Sequence, residues 1–266
     1  MSAPSYEELV AAWKGLRLRR PGLTVREVAT VGSTRTLLIA ESVPEGGIGN
    51  ARATIALAAG VHGDEPAAPW ALLSLVADGL LDPAYAYRMW PCTNPSGYRL
   101  GTRENEDGVD INRSFTRGGA TPEARAIVTA NRDRKFALSL DLHEDYEADG
   151  FYAYEPLVDG AAPLGEFVIR AVEDAAFPIQ DLHGAFDVVY PAAGASRAPH
   201  LEHGRVITDA RAEELFLGGL PYNLFLLRNA AKRAMTFESP RKLPWSDRIA
   251  IHRVAVASAI ERLAHV

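Results

Sequence analysis

Apolar and polar positions recur along this chain in two periods, and the periods divide it into helices and strands. From Ser5 to Leu16, apolar residues return at helical spacing behind a capping serine and early glutamates, so an opening helix is predicted. Leu23 to Ala29 and Thr34 to Ala40 have strand character, and Val31, Gly32 and Ser33 between them suggest a hairpin. Val43 to Asn50, rich in glycine with one proline, is expected to be a loop. Thr54 to Ala59 and Ala137 to Leu142 are short, nearly continuous apolar runs, the pattern of strands buried on both faces. Further helices are predicted over Pro66 to Ala77, Pro122 to Arg132 (capped by Thr121), Ala162 to Ala175 and Ser246 to Ala264. Short strands are predicted at Arg88 to Cys92 and Arg233 to Phe237. Strands interleaved with helices imply an α/β fold in three layers, α/β/α. No stretch is rich enough in Pro, Gly or Ser to divide the chain, so one domain over residues 1–266 is expected.

Composition narrows the function. Of 266 residues, 47% are hydrophobic, enough for a full core. The formal charge is −6, so there is no net basic field to attract nucleic acid or an anionic membrane. The basic run containing Arg17, Arg19 and Arg20 is expected to be a solvated face. Cys92 is the single cysteine. It rules out an intrachain disulfide, points to a reducing compartment, and is expected to be a buried small hydrophobe. The start of the chain lacks the basic-then-apolar pattern of a signal peptide, and no run of roughly 18 apolar residues occurs. A cytoplasmic protein is the expectation.

Chemistry gathers at the ends of the two buried strands. After TIALAAG come Val61, His62, Gly63, Asp64 and Glu65, and the second strand ends in Asp141, Leu142 and His143. The carboxyl ends of central strands are where open α/β sheets build their sites. Two histidines and a glutamate are a recognised catalytic zinc set, the fourth position being left to water, whose pKa the metal lowers towards neutrality. Between them lies a long polar stretch: Asn94-Pro95-Ser96-Gly97-Tyr98, Gly101-Thr102-Arg103-Glu104-Asn105 and Gly108-Val109-Asp110-Ile111-Asn112-Arg113-Ser114-Phe115. Loops of that length are usually functional, and an arginine fork suits carboxylates and oxyanions.

These blocks, with the late Phe237-Glu238-Ser239, resemble the zinc carboxypeptidase superfamily. That group includes carboxypeptidase A-like enzymes, murein-peptide amidases and the succinylglutamate desuccinylase/aspartoacylase branch. The resemblance implies a central mixed, mostly parallel sheet and one zinc per chain, held by His62, Glu65 and His143. It implies Glu238 as general base, Arg103 as stabiliser of the oxyanion, and Asn112 and Arg113 as the grip on a substrate carboxylate. Asp110 would hydrogen-bond His62 from behind. The tyrosine that covers the substrate in carboxypeptidase A-like enzymes has no clear counterpart, Tyr222 and Tyr190 being the candidates.

Two activities fit these residues. One is a metallocarboxypeptidase acting on peptides, favoured by the Asn-Pro loop. The other is an N-acyl amino acid deacylase, which shares the core motifs. A non-catalytic binding protein of the same fold is argued against by the intact Glu238. The acidic run Glu144, Asp145 and Glu147 is expected to be a loop or to support the site rather than to hold a second metal. The pair His200 and His203 is expected to line the cleft or lie on the surface, and His183 and His252 have no assigned role. Side-chain preference is expected to reside in the stretch Leu182 to Leu227.

Overall fold

The computed structural model describes residues 3–31, 35–181, 200–209 and 219–266. Their strands are β1 (Leu23–Val31), β2 (Arg35–Ser42), β3 (Thr54–Ala59), β4 (Ala86–Trp90), β5 (Leu138–Asp145), β6 (Tyr152–Leu157), β7 (His200–Glu202), β8 (Arg205–Asp209) and β9 (Ala234–Pro240). The helices are α1 (Tyr6–Arg17), α2 (Ala67–Ala77), α3 (Pro95–Leu100), α4 (Pro122–Asn131), α5 (Gly165–Asp174), α6 (Tyr222–Asn229) and α7 (Trp245–Leu263). All nine described strands join one sheet in the order β1-β2-β4-β3-β5-β9-β6-β8-β7. Its centre, β4-β3-β5-β9, is parallel. Antiparallel pairs flank that centre: β1 with β2, β2 with β4, and β6 with β9. Beyond β6 the sheet continues through the parallel strand β8 to the antiparallel edge strand β7.

The strand sequences explain the two covered faces. In β3, Ile55, Leu57 and Ala59 pack into one cluster while Ala56 and Ala58 pack into another. The first cluster is completed by Leu138, Leu140 and Leu142 of β5, Met235 and Phe237 of β9, and apolar faces of α1, α2, α5 and α7. The second holds Trp90, Ile111 and Phe115 with residues of α4 and α6. This is the expected α/β/α sandwich. Each fully buried Leu or Phe contributes roughly 1.5–3 kcal/mol through burial. The helix α1 begins with a complete capping box, Ser5 with Glu8, which satisfies two orphan amide donors.

The predicted elements are present, with shifts of a few residues at their ends. One extension matters: β5 continues past Leu142 through His143, Glu144 and Asp145, paired residue for residue with Glu238, Ser239 and Pro240 of β9. Strands β6, β7 and β8 and helices α3 and α6 were not expected. Pro156 and Glu155 interrupt the apolar pattern of β6, and β7 and α3 are very short. The hairpin turn residues Gly32, Ser33 and Thr34 lie outside the described residues.

Candidate active site

The chain leaves β3 at Ala59 and turns through His62–Glu65 into α2. Gly63 is needed in that turn because the backbone of α3 lies against it: a Cβ there would sit 1.8 Å from the carbonyl carbon of Gly97. His62, Glu65 and His143 are 4%, 5% and 2% exposed. Four of their atoms converge. His62 Nδ1 lies 2.5 Å from Glu65 Oε1 and 3.2 Å from His143 Nδ1, and His143 Nδ1 is 3.0 Å from Glu65 Oε2. The last is an ionic contact without hydrogen-bond alignment, since Glu65 Oε2 has no hydrogen-bond partner. Among the described residues these three form the group of His, Cys, Asp and Glu side chains disposed to hold a metal ion.

The residues fit a divalent cation. Two imidazole nitrogens and a carboxylate oxygen are zinc donor chemistry, and one ligand atom from each residue lies within 4.8 Å of the others. Burial pushes the Glu65 carboxyl upward, but the rings of His62 and His143 outweigh it and hold Glu65 well below the usual carboxylate range. Burial disfavours a charged His143, yet Asp141, Glu65 and Glu238 around it raise it well above an ordinary histidine.

Around this centre, the sequence-predicted residues are distributed as follows. Asp110 Oδ1 is 3.6 Å from His62 Nε2, an ionic contact longer than a hydrogen bond. Asp110 also accepts from Asn112 N at 2.8 Å, capping the 3-10 helix Ile111–Arg113, and from Arg103 Nε and Nη2 at 3.2 and 3.0 Å. Burial raises its carboxyl, but His62 and Arg103 outweigh that and pull it far down. Arg103 Nη1 lies 3.3 Å from His62 Nδ1, so the guanidinium borders the donor group directly. Asn112 is buried, its Oδ1 accepting from Tyr222 N at 2.9 Å. Arg113 is exposed as a whole residue and donates to Asn112 O at 2.9 Å. Partial desolvation of its guanidinium by neighbouring protein lowers its affinity for the proton, Asp110 raises it and Arg103 lowers it further. Glu238 stands opposite His143 on one side and Tyr152 on the other. Its carboxylate makes no hydrogen bond among the described residues. Burial raises it well above its ordinary range, with His143 opposing and Glu65 and Asp145 adding to the rise.

Sequence reasoning gave Asp141 no role, and for Glu144 it left a loop and a supporting role open. Asp141 Oδ2 lies 3.0 Å from His143 Nε2, the nitrogen turned away from the converging donors. The signal was present: residues two apart on a strand share a face. Glu144 is buried rather than in a loop, and accepts from Ala67 N and Arg248 Nη1. Asp145 accepts from the Tyr152 hydroxyl at 2.7 Å. Tyr222 is a core residue stacked edge-on against Phe115, so it does not lie over a substrate. His203 is an exposed partner of Glu173, and His252 is fully buried in α7. Cys92 is buried as expected, and burial pushes its thiol up to about 12. His183 and Tyr190, and most of the stretch from Leu182 to Leu227, lie outside the described residues. No described helix is long and apolar enough to cross a membrane.

A sheet with a parallel centre, a His-x-x-Glu turn after one middle strand and a histidine near the end of its neighbour define a carboxypeptidase-like fold. Residues 51–178 match the profile of the succinylglutamate desuccinylase/aspartoacylase catalytic domain. A candidate metallopeptidase from Shewanella amazonensis superposes with a TM-score of 0.72 over 97% of this chain and 92% of its own, at 22% identity. A metallo-carboxypeptidase from Burkholderia cenocepacia superposes with a TM-score of 0.71 over 99% of this chain and 70% of its own, at 16% identity. At these identities the likeness is one of fold. Carboxypeptidase SOL1 of Arabidopsis thaliana is 32% identical over 31% of this chain and 21% of its own length, so the match spans about a fifth of that curated relative. The resemblance to the zinc carboxypeptidase superfamily holds in sequence profile and in fold.

Proposed function

We propose that the chain is a zinc-dependent metallocarboxypeptidase that hydrolyses an amide bond next to a free carboxylate. The observation that carries the reading is the convergence of His62 Nδ1, His143 Nδ1 and the Glu65 carboxylate, with Glu238 beside His143 on the next strand. Zinc held by His62, Glu65 and His143, one per chain, supplies Lewis acidity, polarising a carbonyl and bringing water towards ionisation at neutral pH.

The chain's own residues supply the rest. Glu238, free of hydrogen bonds to described groups, takes the proton of the attacking water and passes it to the leaving nitrogen. Arg103 offers its guanidinium to the oxyanion that develops on the former carbonyl oxygen, beside the His62 ring. Asn112 is oriented by the Tyr222 amide on its Oδ1, leaving Nδ2 as its donor to a substrate carboxylate. Arg113 completes that grip with a planar donor fork. Asp110 and Asp141 keep the two imidazoles oriented from behind. The nine-stranded sheet runs from near the start of the chain to near its end, which supports a single catalytic domain over residues 1–266. A lone buried Cys92 fits a reducing compartment such as the cytoplasm.

A second reading is favoured by the profile match over residues 51–178: an N-acyl amino acid deacylase of the succinylglutamate desuccinylase/aspartoacylase type. The two share every assigned residue and differ in what lies on the acyl side. Product analysis on C-terminally free peptides beside N-acetyl and N-succinyl amino acids separates them. Release of a C-terminal amino acid from peptides supports the peptidase, and turnover of the N-acyl amino acids alone supports the deacylase.

A further inference from the structure

We propose that Glu144 is a positioning residue for the metal centre, tying the strand that carries His143 to the helix start that follows Glu65. The proposal rests on the metal-site reading above. Successive side chains on a strand point to opposite faces. His143 therefore turns to the catalytic face of β5, and Glu144 to the face covered by α2 and α7. There each oxygen of its carboxylate has its own partner. Oε2 accepts from Ala67 N, the first amide of α2, at 2.7 Å, and Oε1 accepts from Arg248 Nη1 of α7 at 2.6 Å.

Three features make this more than an ordinary ion pair. Helix α2 has Pro66 at its N-cap, which offers no side-chain oxygen, so Glu144 supplies the missing cap from another element. Ala67 is two residues from Glu65 and Glu144 is adjacent to His143, so this one carboxylate bridges the backbones that carry two of the three metal donors. The tether is also rigid. The Glu144 side chain is 0% exposed and that of Arg248 12%, and the Arg248 guanidinium carbon lies 5.2 Å from the Trp245 ring centroid. A donor set must be held to within a few tenths of an ångström, and a buried acceptor fixed on both sides does that for Glu65 against His143.

Truncating Glu144 alone would leave a buried Arg248 charge unpaired and confuse misfolding with loss of positioning. The comparison is therefore between two neutralised pairs in the full chain, Glu144→Ala with Arg248→Met and Glu144→Gln with Arg248→Met. They differ in whether an oxygen remains for the Ala67 amide. Zinc affinity is read by chelator competition, and unfolding temperature is measured alongside. The alanine pair is expected to bind zinc about 10- to 100-fold more weakly than wild type. The glutamine pair is expected to recover most of that affinity. Equal zinc affinity in the alanine pair and wild type overturns the proposal, as does an equal loss in both pairs. A milder variant, Glu144→Asp, keeps the charge but withdraws the acceptor by one methylene. It is expected to shift the visible absorption of the Co(II)-loaded protein, and an unchanged spectrum with unchanged affinity is a second overturning result. Wild-type protein that binds no zinc would instead remove the metal reading itself.

Discussion

His143 carries more of the site's chemistry than any other side chain. One ring nitrogen faces His62 and Glu65, the other meets Asp141, and Glu238 stands beside it on β9. Removing the base should separate binding from turnover: Glu238→Gln is expected to retain zinc, measured by metal analysis, while turnover falls about 10²–10⁴-fold. Retained turnover would remove Glu238 as the base. Arg113→Ala is expected to raise KM for substrates with a free carboxylate by about tenfold, the scale of one charge-assisted pair, and to leave amidated ones unchanged. An equal loss on both would argue against its assigned grip. The convergence of the proposed metal donors was legible because both motifs follow apolar strands and chain order brings such strands together. Asp141 was legible in principle from its place two residues before His143. For Glu144 a loop and a supporting role stayed open, because its partners Ala67 and Arg248 are distant in sequence and nothing in an acidic run marks one member as buried.

At the scale of elements, the site depends on how closely α3 approaches the turn between β3 and α2. The backbone at Gly97 and Tyr98 occupies the space that a side chain at position 63 would need. Gly63→Ala is expected to push the two segments apart, costing about 1–3 kcal/mol as overpacking does and weakening zinc binding together with stability. Calorimetry and metal titration on one sample test it, and wild-type values in both would contradict the close approach. The central strands were readable because burial on both faces leaves continuous apolar runs such as Thr54–Ala59 and no turn residues. The far half of the sheet was less so. In β6, Glu155 is buried because its carboxylate receives Leu164 N, Gly165 N and Arg205, a set of long-range contacts that makes an acidic residue behave as an interior one. Local patterning has no access to such partners. The 94–115 segment was read as a polar loop, and its short helix and 3-10 turn are held by side-chain caps from Asn94 and Asp110.

For the whole molecule, the proposed metal site would link metal binding to the fold. The donors come from the β3–α2 turn and from β5, so a cation binds the assembled sheet and not the open chain, and mass action then adds stability. At zinc a thousandfold above its dissociation constant, the gain is about 4 kcal/mol, which for a chain of this size is a Tm increase on the order of 10 °C. Differential scanning with and without chelator should show it, and it should vanish in His143→Ala. An unchanged Tm across zinc and chelator would contradict a metal site built from these residues. The three-layer architecture and the donor set were legible from apolar runs and motif placement together.

The most direct measurement is hydrolysis of one peptide with a free C-terminal carboxylate and its amidated twin by zinc-loaded, chelator-treated and zinc-restored protein. The account predicts cleavage of the free peptide alone, lost with chelator and regained with zinc. Cleavage that ignores the chelator, or that treats the amidated twin equally, would contradict it.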